Sequence, residues 1–254
     1  MIIKNIDSGR PFDWGQTSQK YAQYRDIYPK QLYDRLRELG VAADGTAWLD
    51  LGTGTGVLPQ NLYNPNASIT GVDISAEQIA YARENAERNH WNIHYLVAPA
   101  EETNLPDHSF DAITAAQCFG YFDREKMRTE LQRLIKPDGI FIKIYLTYTL
   151  DDEIAKKSHL LIKQMNPDWT PGEAASRTMY DDLFGGRITE VYHCDIPFTR
   201  ESWNGRMTAC RGTLASMSKE QFENWEAEHI AMLNSYPEEF TVKHKLYITY
   251  FRME

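Results

Sequence analysis

The chain has 254 residues, 42% of them hydrophobic, enough for one large α/β domain or a domain with a lid. Its formal net charge is −9, which argues against tight, sequence-independent binding to nucleic acid. No stretch approaches the roughly 18 apolar residues of a membrane span, and the three cysteines (Cys118, Cys194, Cys210) lie far apart without C-x-x-C spacing, so they read as reduced thiols of a cytoplasmic protein rather than as a disulfide frame or metal site.

Met1-Ile-Ile-Lys4 leads into polar sequence, not into a signal peptide, and residues 1–14 read as a loose arm. Residues 17–39 carry helical periodicity, with Pro29 able to start a second helix and Gly40 to stop it. From Thr46 to Leu146 two patterns alternate. Strands are expected at 46–51, 68–73, 93–98, 110–116 and 139–146, and helices at 57–63, 75–89 and 124–135. Ser75 with Gln78 forms a capping box for the second helix, and Lys136-Pro137-Asp138-Gly139 stops the third. Alternating βα units imply a parallel sheet with helices on both faces. Beyond 150 the rhythm breaks: helices at 151–165, about 200–211 and 219–235, and strands at 187–198 and 240–252. The helices between the last two strands have no place in the sheet and, with 151–186, are assigned to a cap over the strand ends.

Residues 47–56, AWLDLGTGTG, are a strand, a glycine turn and a helix start. Gly52, Gly54 and Gly56 permit the tight turn, and free N–H groups at the helix start favour an anionic ligand group. The spacing is G-x-G-x-G, and Val57 stands where the dinucleotide fingerprint G-x-G-x-x-G wants glycine or alanine. Asp50, just before the turn, would repel a pyrophosphate but attract an ammonium. Asp73 closes the second strand about twenty residues on, where a carboxylate accepts hydrogen bonds from ribose hydroxyls. A ligand with a ribose, a cationic amine, a carboxylate and no phosphate fits S-adenosylmethionine (SAM).

At this point the chain resembles the class I SAM-dependent methyltransferases. WLDLGTGTG matches their first motif, TGVDIS the second, AEETNLPDHSFDAIT the adenine-contacting stretch and LIKPDGIFIKI the turn into strand five, covering about residues 20–146. A looser similarity links YRDIYP and Gln117-Cys118-Phe119-Gly120-Tyr121-Phe122-Asp123 to the trans-aconitate methyltransferase-like branch, with Gly120-Tyr121 in place of that branch's His-Trp pair. The resemblance implies a Rossmann-like, seven-stranded sheet of order 3-2-1-4-5-7-6 with strand seven antiparallel, plus the helical cap. It also implies three parts: residues 1–39 covering the cofactor, a core at 40–150, and 151–254 completing the sheet and carrying the cap.

On the resemblance, Gly52, Thr53, Gly54 and Gly56 shape the turn around the methionine part, and Asp50 binds the ammonium directly or through water. Asp73 takes the ribose hydroxyls and Ile74 packs on the adenine. Ala100 and Glu101, or Glu102 in competition, contact the adenine edge. Gln117 faces the sulfur region, and Tyr21 and Arg25 come from a segment folding over SAM. Candidates to line the acceptor side are Tyr28, Phe119, Tyr121, Tyr145, Trp169 and Arg206. Arg206 or Arg211 offers a bidentate grip on an acidic substrate; the competing reading ties this helix to the acidic helix at 219–230. No catalytic residue is assigned. In-line methyl transfer asks the protein chiefly for alignment and desolvation, and His159, His193, His229 and His244 are base candidates or structural histidines. The expected function is SAM-dependent methyl transfer (EC 2.1.1.-) to a small-molecule acceptor. An NAD-dependent oxidoreductase and a non-catalytic SAM-binding scaffold remain the alternatives.

Overall fold

Leu32 and Leu36, one helical turn apart, are both fully buried, and they seat helix α1 (Lys30–Glu38) by one face. The structure, a computed structural model, describes residues 7–13, 16, 20, 23–24, 27–171 and 184–252. After α1 come β1 (Ala47–Leu51), the short α2 (Val57–Asn61), β2 (Ser68–Asp73), α3 (Ala76–Arg88), β3 (Ile93–Val97), β4 (Phe110–Ala116), α4 (Arg124–Leu134) and β5 (Ile135–Tyr148). Then follow α5 (Glu153–Met165), β6 (Ile188–Thr199), α6 (Arg200–Thr208), α7 (Lys219–Leu233) and β7 (Glu239–Arg252). Side chains mark the helix starts. Ser75, Asp123 and Asp152 accept N–H groups from the first turns of α3, α4 and α5, while Thr199–Ser202 and Ser218–Gln221 form reciprocal boxes on α6 and α7. Helix α2 stops two residues short of the expected 63, where Leu62 leaves the helical backbone at φ −106° and ψ 10°.

The strands form one seven-stranded sheet of order β3-β2-β1-β4-β5-β7-β6. Pairings β1–β2, β1–β4, β2–β3 and β4–β5 are parallel. The expected turn at 136–139 lies inside β5 as an irregularity. Ile135 pairs with Phe110 and Ile140 with Ala112, and Asp138 between them takes φ +64°. Along β7, Phe251 stacks on Phe141 while Lys243 O accepts the Thr149 N–H; Thr249 meets Thr189 while Glu238 O accepts the Arg200 N–H. Higher positions on one strand meet lower ones on the other, so β7 runs antiparallel to both neighbours.

The chain divides into two compact units, neither continuous in sequence. The larger comprises the described residues of 28–146, 173–192 and 246–254. Its core includes Leu49, Leu51, Val72, Phe110, Ile113, Met127, Phe141 and Phe251. Within it Arg35 of α1 grips Glu190 of β6 through Nε (2.9 Å) and Nη2 (2.6 Å). The smaller comprises the described residues of 1–27, 147–172 and 193–245. It holds α5, α6 and α7 around the fully buried Trp203 and Trp225. Residues 7–13 belong to it and are not a loose arm: Asp7 pairs with Arg211 and accepts the Thr170 N–H at 2.7 Å, Phe12 is buried, and the Asp13 N–H donates to Ala215 O. A buried Asp–Arg pair tethers this segment. Among the described residues no helix is long and apolar enough to cross a membrane.

Candidate functional site

Asp50 sits one residue from the C-terminal end of β1, paired in register with Gly71 of β2 and Thr114 of β4. It is 2% exposed. The Trp48 indole donates to the Thr114 hydroxyl (2.9 Å), which donates to Asp50 Oδ1 (2.6 Å). Among the described residues no cation pairs with Asp50. Burial pushes its carboxyl up to about 7, against the lowering effect of the Thr114 hydrogen bond.

The turn that follows requires glycine at Gly52, Gly54 and Gly56, with φ of +62°, +58° and +81°. At Gly52 a Cβ would stand 2.6 Å from Cys118 Sγ. Cys118 itself donates to Leu51 O at 3.2 Å, and burial holds its thiol well above the usual range, so it is wall rather than nucleophile. Beneath the turn, the Tyr95 ring fills hollows left by Gly56 and Gly71; a Cβ on Gly71 would come within 2.7 Å of it.

Three amides of the turn are used internally. The Thr53 N–H donates to Val72 O (2.9 Å), Gly54 N–H to Asp73 Oδ2 (2.8 Å) and Gly56 N–H to Thr53 O (3.0 Å). These three donors are used internally because the Asp73 carboxylate and the β2 backbone lie against the turn. Asp73 Oδ1 also accepts the Ser75 N–H at 2.8 Å. Burial raises the Asp73 carboxyl above its ordinary value despite these backbone bonds. Beside it Ile74 is 57% exposed, unusual for a large apolar side chain at a strand end.

Ala100 is buried, Glu101 Oε1 accepts the Asp123 N–H (2.8 Å), and Glu102 is exposed. Gln117, just past β4, adopts φ +64°; its N–H donates to Ile144 O (2.9 Å) and its Nε2 to Leu146 O (2.6 Å). A non-glycine residue held there at a strand end is a strained position of the kind found at functional sites. Tyr21, Arg25 and the aromatic Trp14 lie outside the described residues.

The acceptor-side candidates divide between the units. In the larger, Tyr28, Tyr121 and Tyr145 are half-buried, Tyr28 meeting Tyr33 edge-on. Phe119 is 3% exposed and packs on Phe122 and Phe141 in the core. In the smaller, Trp169 is also core, buried against His159 and over Gly212, where a Cβ would stand 2.6 Å from the indole. Arg206 is buried and faces the rings of Tyr148 and Trp203; it does not pair with the acidic helix α7. Of the histidines, His229 is fully buried between Asn204 Oδ1 (2.7 Å) and Ser158 Oγ (2.8 Å), and burial lowers its pKa to about 4. His159 meets the Tyr148 hydroxyl, His244 Nδ1 lies 2.8 Å from Val242 O, and His193 is exposed. Sequence reasoning missed Thr114 and Tyr95. The one available signal for Thr114 was a hydroxyl inside the apolar strand FDAITAA.

An open α/β sheet of this order, with a glycine turn after β1 and an acid ending β2, defines the class I methyltransferase fold. Residues 49–143 match the model of a family described as a methyltransferase domain. The chain is 40% identical over 94 residues to a demethylmenaquinone methyltransferase of Thermus thermophilus, covering 36% of this chain and 43% of that one. It is 34% identical over 149 residues to a malonyl-[acyl-carrier protein] O-methyltransferase of a Marinomonas species, covering 56% and 53%. The chain thus spans about half the length of these curated relatives. Among solved structures, a protein of Anaeromyxobacter dehalogenans provisionally designated a type II methyltransferase superposes with TM-score 0.62 at 24% identity, covering 89% of this chain and 95% of that one.

Proposed function

We propose that the protein is a SAM-dependent methyltransferase acting on a small-molecule acceptor. One observation carries the choice of cofactor class: the carboxyls of buried Asp50 and half-buried Asp73 stand beside the glycine turn, Asp73 tied to the Gly54 amide, and burial makes their ionised forms costly. An ammonium favours the ionised form of such a carboxyl, whereas the charge of a pyrophosphate opposes it. The residues therefore fit SAM better than NAD. Asp50, buried without a cation, is suited to the ammonium. Asp73 keeps lone pairs for ribose hydroxyls beyond its two backbone bonds. Exposed Ile74 offers an apolar face to a purine, and Ala100 and Glu101 its edge.

SAM, when bound, supplies an electrophilic methyl on a sulfonium. The chain's part is to hold that group with Asp50, Asp73 and the glycine turn, to hold Gln117 at the end of β4, and to exclude water from the reacting atoms. No proton-transfer residue is assigned. The negative net charge supports an acceptor other than nucleic acid. The names of the relatives, a demethylmenaquinone and a malonyl-acyl carrier protein enzyme, favour a metabolite-sized reacting group.

Calorimetric titration with SAM, S-adenosylhomocysteine and NAD tests the reading, followed by a screen of quinols, phenols and carboxylic acids for acceptor-dependent release of S-adenosylhomocysteine. Saturable binding of the first two with turnover on one acceptor class supports it. Binding of NAD in their place overturns it.

A further inference from the structure

Arg206 is a buried arginine that pairs with no anion among the described residues. It is 5% exposed and lies in the last turn of α6. Its guanidinium carbon stands 5.2 Å from the Tyr148 ring centre and 5.6 Å from that of Trp203. Its side-chain hydrogen bonds go to sulfur alone: Nη1 donates to Cys210 Sγ at 2.9 Å and to Met207 Sδ at 3.7 Å. Nε has no acceptor, and no carboxylate among the described residues pairs with the group. Sulfur is a weak acceptor, ring faces carry only quadrupoles, and the carbonyl end of a helix carries a fraction of a charge. None of these matches a full positive charge withdrawn from water. Arg211, five residues on and similarly buried, does have an anion beside it: it pairs with Asp7 and donates to Thr170 O at 2.6 Å.

We propose that Arg206 is the receptor for a carboxylate borne on an apolar body. The surroundings select among anions. One guanidinium balances one negative charge and presents a planar fork matched to a carboxylate. The flanking rings and Met207 suit an aliphatic or aromatic attachment. A phosphate dianion would bring a second charge that nothing here neutralises.

The test is thermal unfolding and calorimetry of the full chain at fixed ionic strength, with and without S-adenosylhomocysteine. The probes are acetate, hexanoate and benzoate, with benzamide and inorganic phosphate as controls. The expected result is a saturable rise in Tm with at least one carboxylate and none with benzamide or phosphate. Arg206→Gln then weakens that carboxylate at least tenfold with unchanged affinity for S-adenosylhomocysteine, and Arg206→Lys restores part of the loss. Equal stabilisation by benzamide, or no saturable effect of any of the three carboxylates on the unmodified protein, overturns the assignment whether or not the variants fold. Carboxylate binding without S-adenosylhomocysteine binding upholds this site and overturns the methyltransferase proposal; the reverse pattern overturns this site alone.

Discussion

Asp73 Oδ2 accepts the Gly54 N–H at 2.8 Å, so the acid that ends β2 and the turn that follows β1 are one hydrogen-bonded piece. Replacing Asp73 therefore has two effects. Asp73→Ala removes the proposed ribose acceptor and leaves the Gly54 and Ser75 N–H groups without their partner. The expected outcome is a loss of S-adenosylhomocysteine affinity of more than about tenfold and a stability loss of about 1–3 kcal/mol. Ile74→Ala, at an exposed position, should weaken the cofactor with no change in Tm. Calorimetry and thermal melts on both variants separate the effects; unchanged affinity in Asp73→Ala removes the ribose assignment.

Asp50 dictates one pH dependence. Its folded pKa of about 7 lies above the ordinary 3.8, so the folded state holds the proton more tightly. That contribution is fully present below about pH 4 and is lost as pH rises through 7. Asp50→Asn should thus gain stability over the native chain as pH climbs from 4 to 8, with an upper bound on the order of 4 kcal/mol. Denaturant unfolding across that range checks it. The same variant should bind SAM more weakly. In the native protein, binding near pH 6 should release a proton as an ammonium reaches Asp50, seen as an enthalpy that varies with buffer.

His229 works in the opposite sense. Burial depresses its pKa to about 4, below the usual 6.5. Its contribution is present above about pH 6.5 and is lost as pH falls towards 4, by up to roughly 3 kcal/mol. His229→Gln should unfold less steeply with acid over this interval than the native chain, after correction for its lower starting stability. Parallel curves would show that His229 does not stay neutral in the fold.

Gly52 and Cys118 form a steric pair. A Cβ at Gly52 would stand 2.6 Å from Cys118 Sγ and 2.7 Å from its Cβ, on backbone already at φ +62°. Gly52→Ala should cost about 1–3 kcal/mol from overpacking and backbone strain together. Adding Cys118→Gly should recover the steric share and leave the backbone share. A double-mutant cycle measures this, and strict additivity would mean that the two side chains are not in contact.

Strands with buried apolar runs were legible in the sequence: Ser68–Asp73 and Phe110–Ala116 have the expected bounds. The sheet order came from resemblance, since periodicity is blind to which strands are neighbours. The site was legible as residue types and not as bonds. Thr114 lies sixty-four residues from Asp50, and nothing local announces that its hydroxyl serves that carboxylate. The use of the Gly54 amide depends on the direction of the Asp73 side chain, which a glycine pattern does not encode. Phe119 and Trp169, acceptor-side candidates in the sequence, are buried in the fold, because an aromatic ring suits a core as well as a cavity and sequence does not separate the two.

Strand β7 is translated after β5 and β6, yet it is wedged between them. Until residue 252 has left the ribosome, β6 has no neighbour to bond and β5 presents a bare margin of amides and carbonyls. Such margins recruit other nascent chains, and joins of high sequence separation form slowly. The yield of native protein in a crowded cell is therefore governed by a race between the arrival of this single late strand and capture of the open sheet by a neighbour.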